Sequence, residues 1–264
     1  MGMCFCILGS GSAGNCAVLR TETSRVLVDA GFSTRKLRQL LHDANESLEQ
    51  IDAIFLTHEH GDHAAGIEGL KKFPHIQIFA NAATARAVQA KLDHRPSWQI
   101  FETGARFAFR DLEIESFHVP HDAQEPVGFT FSHGNGLPSP RRRLAWLTDL
   151  GHAPQHIHER IRDVDVVVVE SNHCIRLLQA DIKRPWPTKQ RISGRHGHLS
   201  NDGMRELLEA VASPRWQHIV LTHLSRDCNS REAVEVSLAG LRARLRCQFS
   251  IVAPGEGIPR VEIT

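Results

Sequence analysis

Residues 55–63 read FLTHEHGDH: the end of an apolar, strand-like run, then three histidines, a glutamate and an aspartate within six positions. A lone histidine is satisfied by one hydrogen bond in a core or by water. Three of them interleaved with acids need a common partner, and a metal ion is the partner that takes lone pairs held about 2 Å away. His58 and His60 lie two apart just beyond a strand, so they point the same way. Gly61 is expected to allow a bend that a Cβ would resist. Asp62 and His63 then open a helix and face a second position, so one segment offers two half-sites. The HExxH zinc helix is excluded, because position 62 is Asp and the helix begins too late.

Other strand ends repeat the pattern. Trp146-Leu147-Thr148-Asp149 and Val220-Leu221-Thr222-His223 echo Phe55-Leu56-Thr57-His58. RVLVD ends in Asp29, and LEIESFHVP runs into His121-Asp122. If these strands lie side by side, their polar ends converge on one rim of a sheet.

Short β-like runs recur throughout, at 4–8, 25–29, 53–57, 76–80, 112–117, 127–131, 143–148, 164–170, 218–222 and 248–252. Helical patterns are expected near 62–72, 82–92 and 153–162. Another covers SNDGMRELLEAV with Ser200 as N-cap, and the last starts at Asn229. GNGLPSP (134–140) reads as a loop tip, and no linker-like tract divides the chain, so residues 1–264 are expected to form a single domain of mixed α and β.

Composition narrows the class. No stretch approaches the roughly 20 consecutive apolar residues that span a bilayer, and the N-terminus lacks the basic start of a secretory signal, which suggests a cytoplasmic protein with no membrane role. The 6 cysteines are scattered without a CxxC pair, as expected of reduced thiols. There are 17 histidines and no tyrosine, so no phenol takes part in any mechanism. Net charge is +1, but Lys183, Arg184, Lys189, Arg191 and Arg195 cluster around Trp186, where Asp181 is the one nearby acid in sequence.

These motifs together resemble the metallo-β-lactamase superfamily. The resemblance implies an α/β fold, a four-layer αββα sandwich with a dinuclear site at one edge. By the family pattern, His58, His60 and His121 would hold one cation. Asp62, His63 and His223 would hold the other, with Asp149 bridging and Asp29 supporting the histidines from behind. His118 is the alternative to His121. Zinc or manganese suits such ligands, and iron is also compatible.

Five histidines and two aspartates fit the phosphodiesterase and nuclease branches. Zinc β-lactamases typically carry a cysteine at the fourth motif, lactone-cleaving relatives often use a tyrosine, and oxygen-handling relatives usually replace the second histidine by Glu. GSGSAGNC (9–16), HDAQEPVGF (121–129), TDLG (148–151), ESNH (170–173), WPTKQRISGRHGHLSN (186–201) and LTHLSRDCN (221–229) resemble the YycJ/WalJ-type subfamily of small nucleases. ESNH is followed by Cys174, where such relatives commonly carry Asp. Only 73 residues separate Asp149 from His223, too few for the large cap of ribonuclease J-type relatives.

The resemblance implies a hydrolase that cleaves nucleic acid, DNA first, as a 5′-to-3′ exonuclease, by attack of a metal-bridging hydroxide. The alternative is a small-molecule hydrolase, a glyoxalase II-type thioesterase or a cyclic-nucleotide phosphodiesterase. Asp62 and His198 are the candidate catalytic residues, His198 as the acid for the leaving oxygen. Asn15, in the Gly-rich SGSAGN, and Lys183, Arg184, Trp186, Lys189 and Arg191 are candidate substrate contacts; the cations would track the backbone and the indole would stack on a base. His173 and His196 are read first as structural residues.

Overall fold

The computed structural model describes residues 2–134 and 141–264. From Asn135 on, the loop tip expected at 134–140 lies outside the described residues. In chain order the first half contains β1 (Met3–Gly9), β2 (Cys16–Arg20), β3 (Arg25–Val28), α1 (Thr34–Asp43), β4 (Ala53–Phe55), α2 (Gly61–Ala64), β5 (Gln77–Asn81), α3 (Ala82–Gln89) and β6 (Ser97–Phe101). Next come β7 (Arg106–Phe109), β8 (Leu112–His118), β9 (Val127–His133), β10 (Arg142–Leu147), α4 (Gln155–Arg162), β11 (Val166–Glu170), α5 (Ile175–Ala180) and α6 (Trp186–Ser193). The chain closes with α7 (Asn201–Val211), β12 (His218–Thr222), α8 (Arg231–Arg244), β13 (Gln248–Ile251) and β14 (Ile258–Ile263).

Among the described residues the strands form two seven-stranded sheets, in the orders β14-β1-β2-β3-β4-β5-β6 and β13-β12-β11-β10-β9-β8-β7. Period-2 alternation explains the layering. In β11, Val166 and Val168 join Phe5, Phe55, Phe129 and Trp146 between the sheets, whereas Val167 and Val169 face Ile157, Met204 and Leu238 of the helices outside. On the other flank, Leu27, Ile54 and Ile78 pack against Leu37, Leu41 and Ile67. Three apolar interfaces make four layers, the αββα sandwich. A strand buried on both faces has to be apolar at every position, which is why VVVV reads as a run rather than an alternation.

Several elements depart from the sequence expectation. α1, with TRKLRQLLHD, buries only Leu37 and Leu41, too sparse a stripe to stand out. β6 is a largely exposed edge strand. α5, α6, β7 and β14 were likewise not expected. The helix foreseen at 62–72 splits into the one-turn α2 and a 3₁₀ segment over Ala65–Lys72. There Gly66 N–H donates to Ala30 O at 2.7 Å, and a Cβ at Gly66 would lie 2.6 Å from Phe32 O. α8 is capped by Ser230, whose Oγ accepts from Ala233 N–H, rather than by Asn229. No helix of the described residues is long and apolar enough to cross a membrane.

Candidate metal centre

The rim foreseen in the sequence exists. Asp29 follows β3, His58 lies just past β4, Asp149 just past β10, and His223 follows β12. Asp29 (φ 60°), Asp149 (φ 58°) and His223 (φ 55°) all adopt the left-handed conformation. Held in a non-glycine residue, it costs on the order of 1–3 kcal/mol. Local hydrogen bonds offset it: Asp29 accepts from Thr57 N–H at 2.8 Å, and His223 N–H donates to Ser10 Oγ at 2.8 Å. Gly61, in contrast, has no positive φ and open space where a Cβ would be, so the turn from His60 into α2 does not require a glycine there. Gly31 is the constrained glycine here: a Cβ would sit 1.7 Å from Asp62 O, so the first turn of α2, which carries Asp62, lies directly on the chain leaving β3.

Four of the imidazoles share one orientation. His63 Nδ1 donates to Asp29 Oδ2 at 2.7 Å, and His121 Nδ1 to Gly197 O at 2.9 Å. His223 Nδ1 donates to Glu170 Oε1 at 2.7 Å. Thr57 Oγ1 donates to Asp29 and so accepts from His58 Nδ1 at 2.9 Å. In these four rings Nδ1 is held from behind and Nε2 faces the cluster, the arrangement of histidines that bind metal, whereas His60 turns its Nδ1 toward His121 Nε2. His58, His60 and His121 offer ligand atoms within 4.8 Å of one another; so do His58, His63 and Asp149, and Asp62, His63 and His223. His118 is exposed at the end of β8 and stands outside these groups, so His121 is the third-motif imidazole that joins the cluster.

Spacing within the cluster fits a missing central atom. Asp62 Oδ2 is 3.6 Å from both His63 Nε2 and His223 Nε2, and His60 Nδ1 is 3.3 Å from His121 Nε2. Ligands with ~2.0–2.1 Å bonds at tetrahedral angles stand about 3.3 Å apart. Among the described residues the buried His58 Nε2, His223 Nε2 and Asp149 Oδ2 make no hydrogen bond, although the His63 ring stands 3.0 Å from Asp149 Oδ2 as an ion-pair neighbour. Such atoms are costly to bury unsatisfied, and a pair of cations would satisfy all three. The residues therefore fit a divalent metal pair.

The electrostatics agree. Burial and the neighbouring His63 push His58 well below its ordinary pKa, so it is neutral. Burial opposes ionisation of Asp149, yet His223 and His63 hold its carboxyl well below the usual range. Burial also opposes charge on His223, but Asp149, Asp62 and Glu170 raise it to about 10. Protons stand where cations would, and metal binding has to displace them.

Glu170 is the residue that sequence reasoning missed. It is fully buried at the end of β11, its Oε1 accepts from His198 Nδ1 at 2.8 Å and from His223 Nδ1, and its Oε2 from Leu150 and Leu199 N–H at 3.1 Å. Burial opposes its charge, but His198 and His223 bring its pKa down to about 2. The signal was present: VVVVE is another apolar strand that ends in a potential ligand, overlooked in a search for His and Asp. His198 itself reaches the cluster, with Nδ1 3.3 Å from Asp149 Oδ1. Burial opposes its charge, yet Glu170 raises its pKa above the ordinary value.

Asn15 also arrives at the centre. Its Nδ2 lies 3.0 Å from His63 Nε2, and its backbone N–H donates to Asp62 O at 2.8 Å. The basic segment is placed differently. Lys183 Nζ pairs with Asp227 at 2.9 Å, Arg184 with Asp181 at 2.7 Å and Asp227 at 3.1 Å, and Arg191 with Asp122. Lys189 Nζ donates to Gln179 O at 2.7 Å. Trp186 is 63% exposed. His196 is exposed, and Cys174 stands at the N-cap of α5, apart from the metal groups.

Comparison with known proteins agrees with this geometry. Residues 24–224 match the family described as a beta-lactamase superfamily domain. The chain is 34% identical to exodeoxyribonuclease YycJ of Bacillus anthracis over 241 residues, 90% of this chain and 89% of that one. It is 33% identical to exodeoxyribonuclease WalJ of Streptococcus pneumoniae over 249 residues, 92% and 90% of the two chains. In fold it resembles the metallo-beta-lactamase fold protein YhfI of Bacillus subtilis, with TM-score 0.71 at 15% identity over 98% of this chain and 100% of that one. Zn(2+)-bound PqqB from Methylobacterium extorquens superposes with TM-score 0.69 at 16% identity over 97% and 99%. The chain thus belongs to the metallo-β-lactamase superfamily, among the relatives of YycJ and WalJ.

Proposed function

We propose that this protein is a dinuclear metal-dependent nuclease, a DNA exonuclease that works in the 5′-to-3′ direction. The observation that carries the reading is the set of buried ring nitrogens and carboxylate oxygen, on His58, His223 and Asp149, that make no hydrogen bond among the described residues, at the rim of a fold whose relatives of 33–34% identity are named exodeoxyribonucleases. His58, His60 and His121 would hold one cation, Asp62, His63 and His223 the second, and Asp149 would lie between. When bound, two divalent cations would supply Lewis acidity, lowering the pKa of water to about 7 and offsetting charge on the phosphoryl oxygens.

The chain's own groups do the rest. Asp62, more exposed than the buried Asp29 and Asp149, would orient the attacking water. Asn15, anchored on Asp62, is a candidate contact to a phosphoryl oxygen. Hydrolysis adds the water oxygen to phosphorus and breaks the bond to the leaving oxygen, which then needs a proton. His198 is the group to give it. Its Nδ1–H is engaged by Glu170, so Nε2–H is the proton available, and the Glu170 carboxylate favours the charged ring. Trp186 would stack on a base, with Lys183, Arg184, Lys189 and Arg191 around it.

The test is metal analysis of the purified protein combined with cleavage of 5′- and 3′-labelled single- and double-stranded oligonucleotides, beside a thioester. About two equivalents of zinc or manganese are expected, with stepwise loss from the 5′ end that a chelator stops. An active preparation without stoichiometric metal, or turnover of the thioester and not of DNA, overturns the reading.

A further inference from the structure

His198 has a second neighbour besides the metal centre. It forms part of the wall of a cavity of about 540 Å³ between the Gly151 loop, α4, α5 and α7. That volume is within the range of small-molecule sites. Its lining is mixed: His152, His158 and His173 with Glu206, against the apolar Ile175 and Leu207. No lysine or arginine lines it. His173 is only 1% exposed, and its Nδ1 has no hydrogen-bond partner.

The lining selects among the parts of a nucleotide. A phosphate wants fixed cations; none lines the wall itself, and Arg195 stands behind it, its Nη2 3.2 Å from His152 Nε2. An aromatic heterocycle wants apolar faces, with neutral donors and acceptors at its edge, and this wall has both. Burial drives the His173 pKa down to about 4, so that ring is neutral and offers one donor and one acceptor. The histidine that protonates the leaving oxygen is shared with the cavity, so the sugar attached to that oxygen begins at the cavity's edge.

We propose that this cavity seats the nucleoside of the terminal residue that departs, and that it makes the enzyme act from an end. The inference rests on the nuclease reading above. A space of this size holds one nucleoside, not a continuing strand. The leaving group is then the terminal nucleotide, released through its 3′ oxygen, and the remaining strand extends to the other side of the metal centre. Attack of water breaks the P–O3′ bond, the water oxygen stays on phosphorus, and the 3′ oxygen takes its proton from His198. That geometry gives 5′-to-3′ polarity a structural cause.

The experiment uses the metal-loaded full chain and single-stranded oligonucleotides with one abasic residue. An abasic 5′ terminus is expected to lower kcat/KM at least tenfold, and an abasic 3′ terminus less than twofold. Ala210→Trp, at an exposed position of α7 that lines the cavity, is expected to cost at least tenfold on the intact strand and to erase the further penalty of the abasic 5′ end. In calorimetry, dAMP should bind at least tenfold more tightly than deoxyribose 5-phosphate. An abasic 5′ end cleaved as fast as an intact one, sensitivity at the 3′ end instead, or equal affinity for the two monophosphates overturns the cavity assignment while leaving the nuclease. Absence of any DNA cleavage defeats both.

Discussion

At the strand-end rim, His58, Asp149 and His223 are buried with nitrogen and oxygen atoms left over, whereas between Asp181 and Arg191 the cations lie near the surface and already have partners. In sequence both stretches looked functional for the same reason, an excess of one kind of charged or ligating residue. Burying a polar group unsatisfied costs roughly 1–3 kcal/mol. A fold that accepts this several times within a few ångströms is completed by something outside the chain. A surface ion pair contributes about 0–1 kcal/mol, so a cation paired with Asp227 or Asp122 is an ordinary solvated face until a stronger partner displaces the acid. What remains unpartnered in the basic segment is apolar: Ile182 is 97% exposed beside the exposed Trp186.

The comparison breaks most readily at Asp62. Asp62→Ala should lower DNA cleavage by about a thousandfold or more and reduce the bound metal, with circular dichroism near that of the unaltered protein. Full activity in a folded, metal-counted variant would remove the rim from the mechanism. Glu170→Gln is sharper. It keeps the shape and removes the charge that holds His198 protonated, so turnover should fall by about tenfold or more. Because that charge raises the His198 pKa, its loss should move the alkaline limb of the pH–rate profile to lower pH. An unmoved limb makes Glu170 a folding residue only.

The other side of the comparison predicts smaller effects. Trp186→Ala should weaken binding of single-stranded DNA by about 1–3 kcal/mol with the salt dependence unchanged, as expected of stacking. Retained affinity would leave the indole idle. Least is expected of Lys183→Ala combined with Lys189→Ala, because both ammonium groups are already engaged within the chain. The slope of log affinity against log salt should change by less than about one unit. A larger change would show that DNA outcompetes Asp227 and the Gln179 carbonyl, and would restore the cations as its grip.

Much of the rim was legible in the sequence because its logic is local. An apolar β run that stops at Asp29, His58, Asp149 or His223 puts that side chain at a strand end, whatever the rest of the chain does. Parallel neighbours then bring the ends together: β3 pairs with β4, and β10, β11 and β12 lie side by side. The buried-on-both-sides strands declared the layers in the same way, by having no polar face. Elements without that signature, such as the polar α1 and the exposed β6, escaped notice.

Tertiary structure alone decided the rest. His118 and His121 are three residues apart, and the preference for His121, which stands beyond the strand, gains its physical support from Gly197, 76 positions away, whose carbonyl orients the ring. Glu170 became a site residue only when the paths of His198 and His223 brought both rings to it. The acids that answer the basic segment, Asp122 and Asp227, come from distant loops. The half-open cavity behind His198 is lined by elements that meet only in the folded chain. Spacing along a chain fixes where a side chain emerges from its own strand. Whether that side chain finds a partner depends on groups that are remote in sequence, and partnership is what separates a site from a surface.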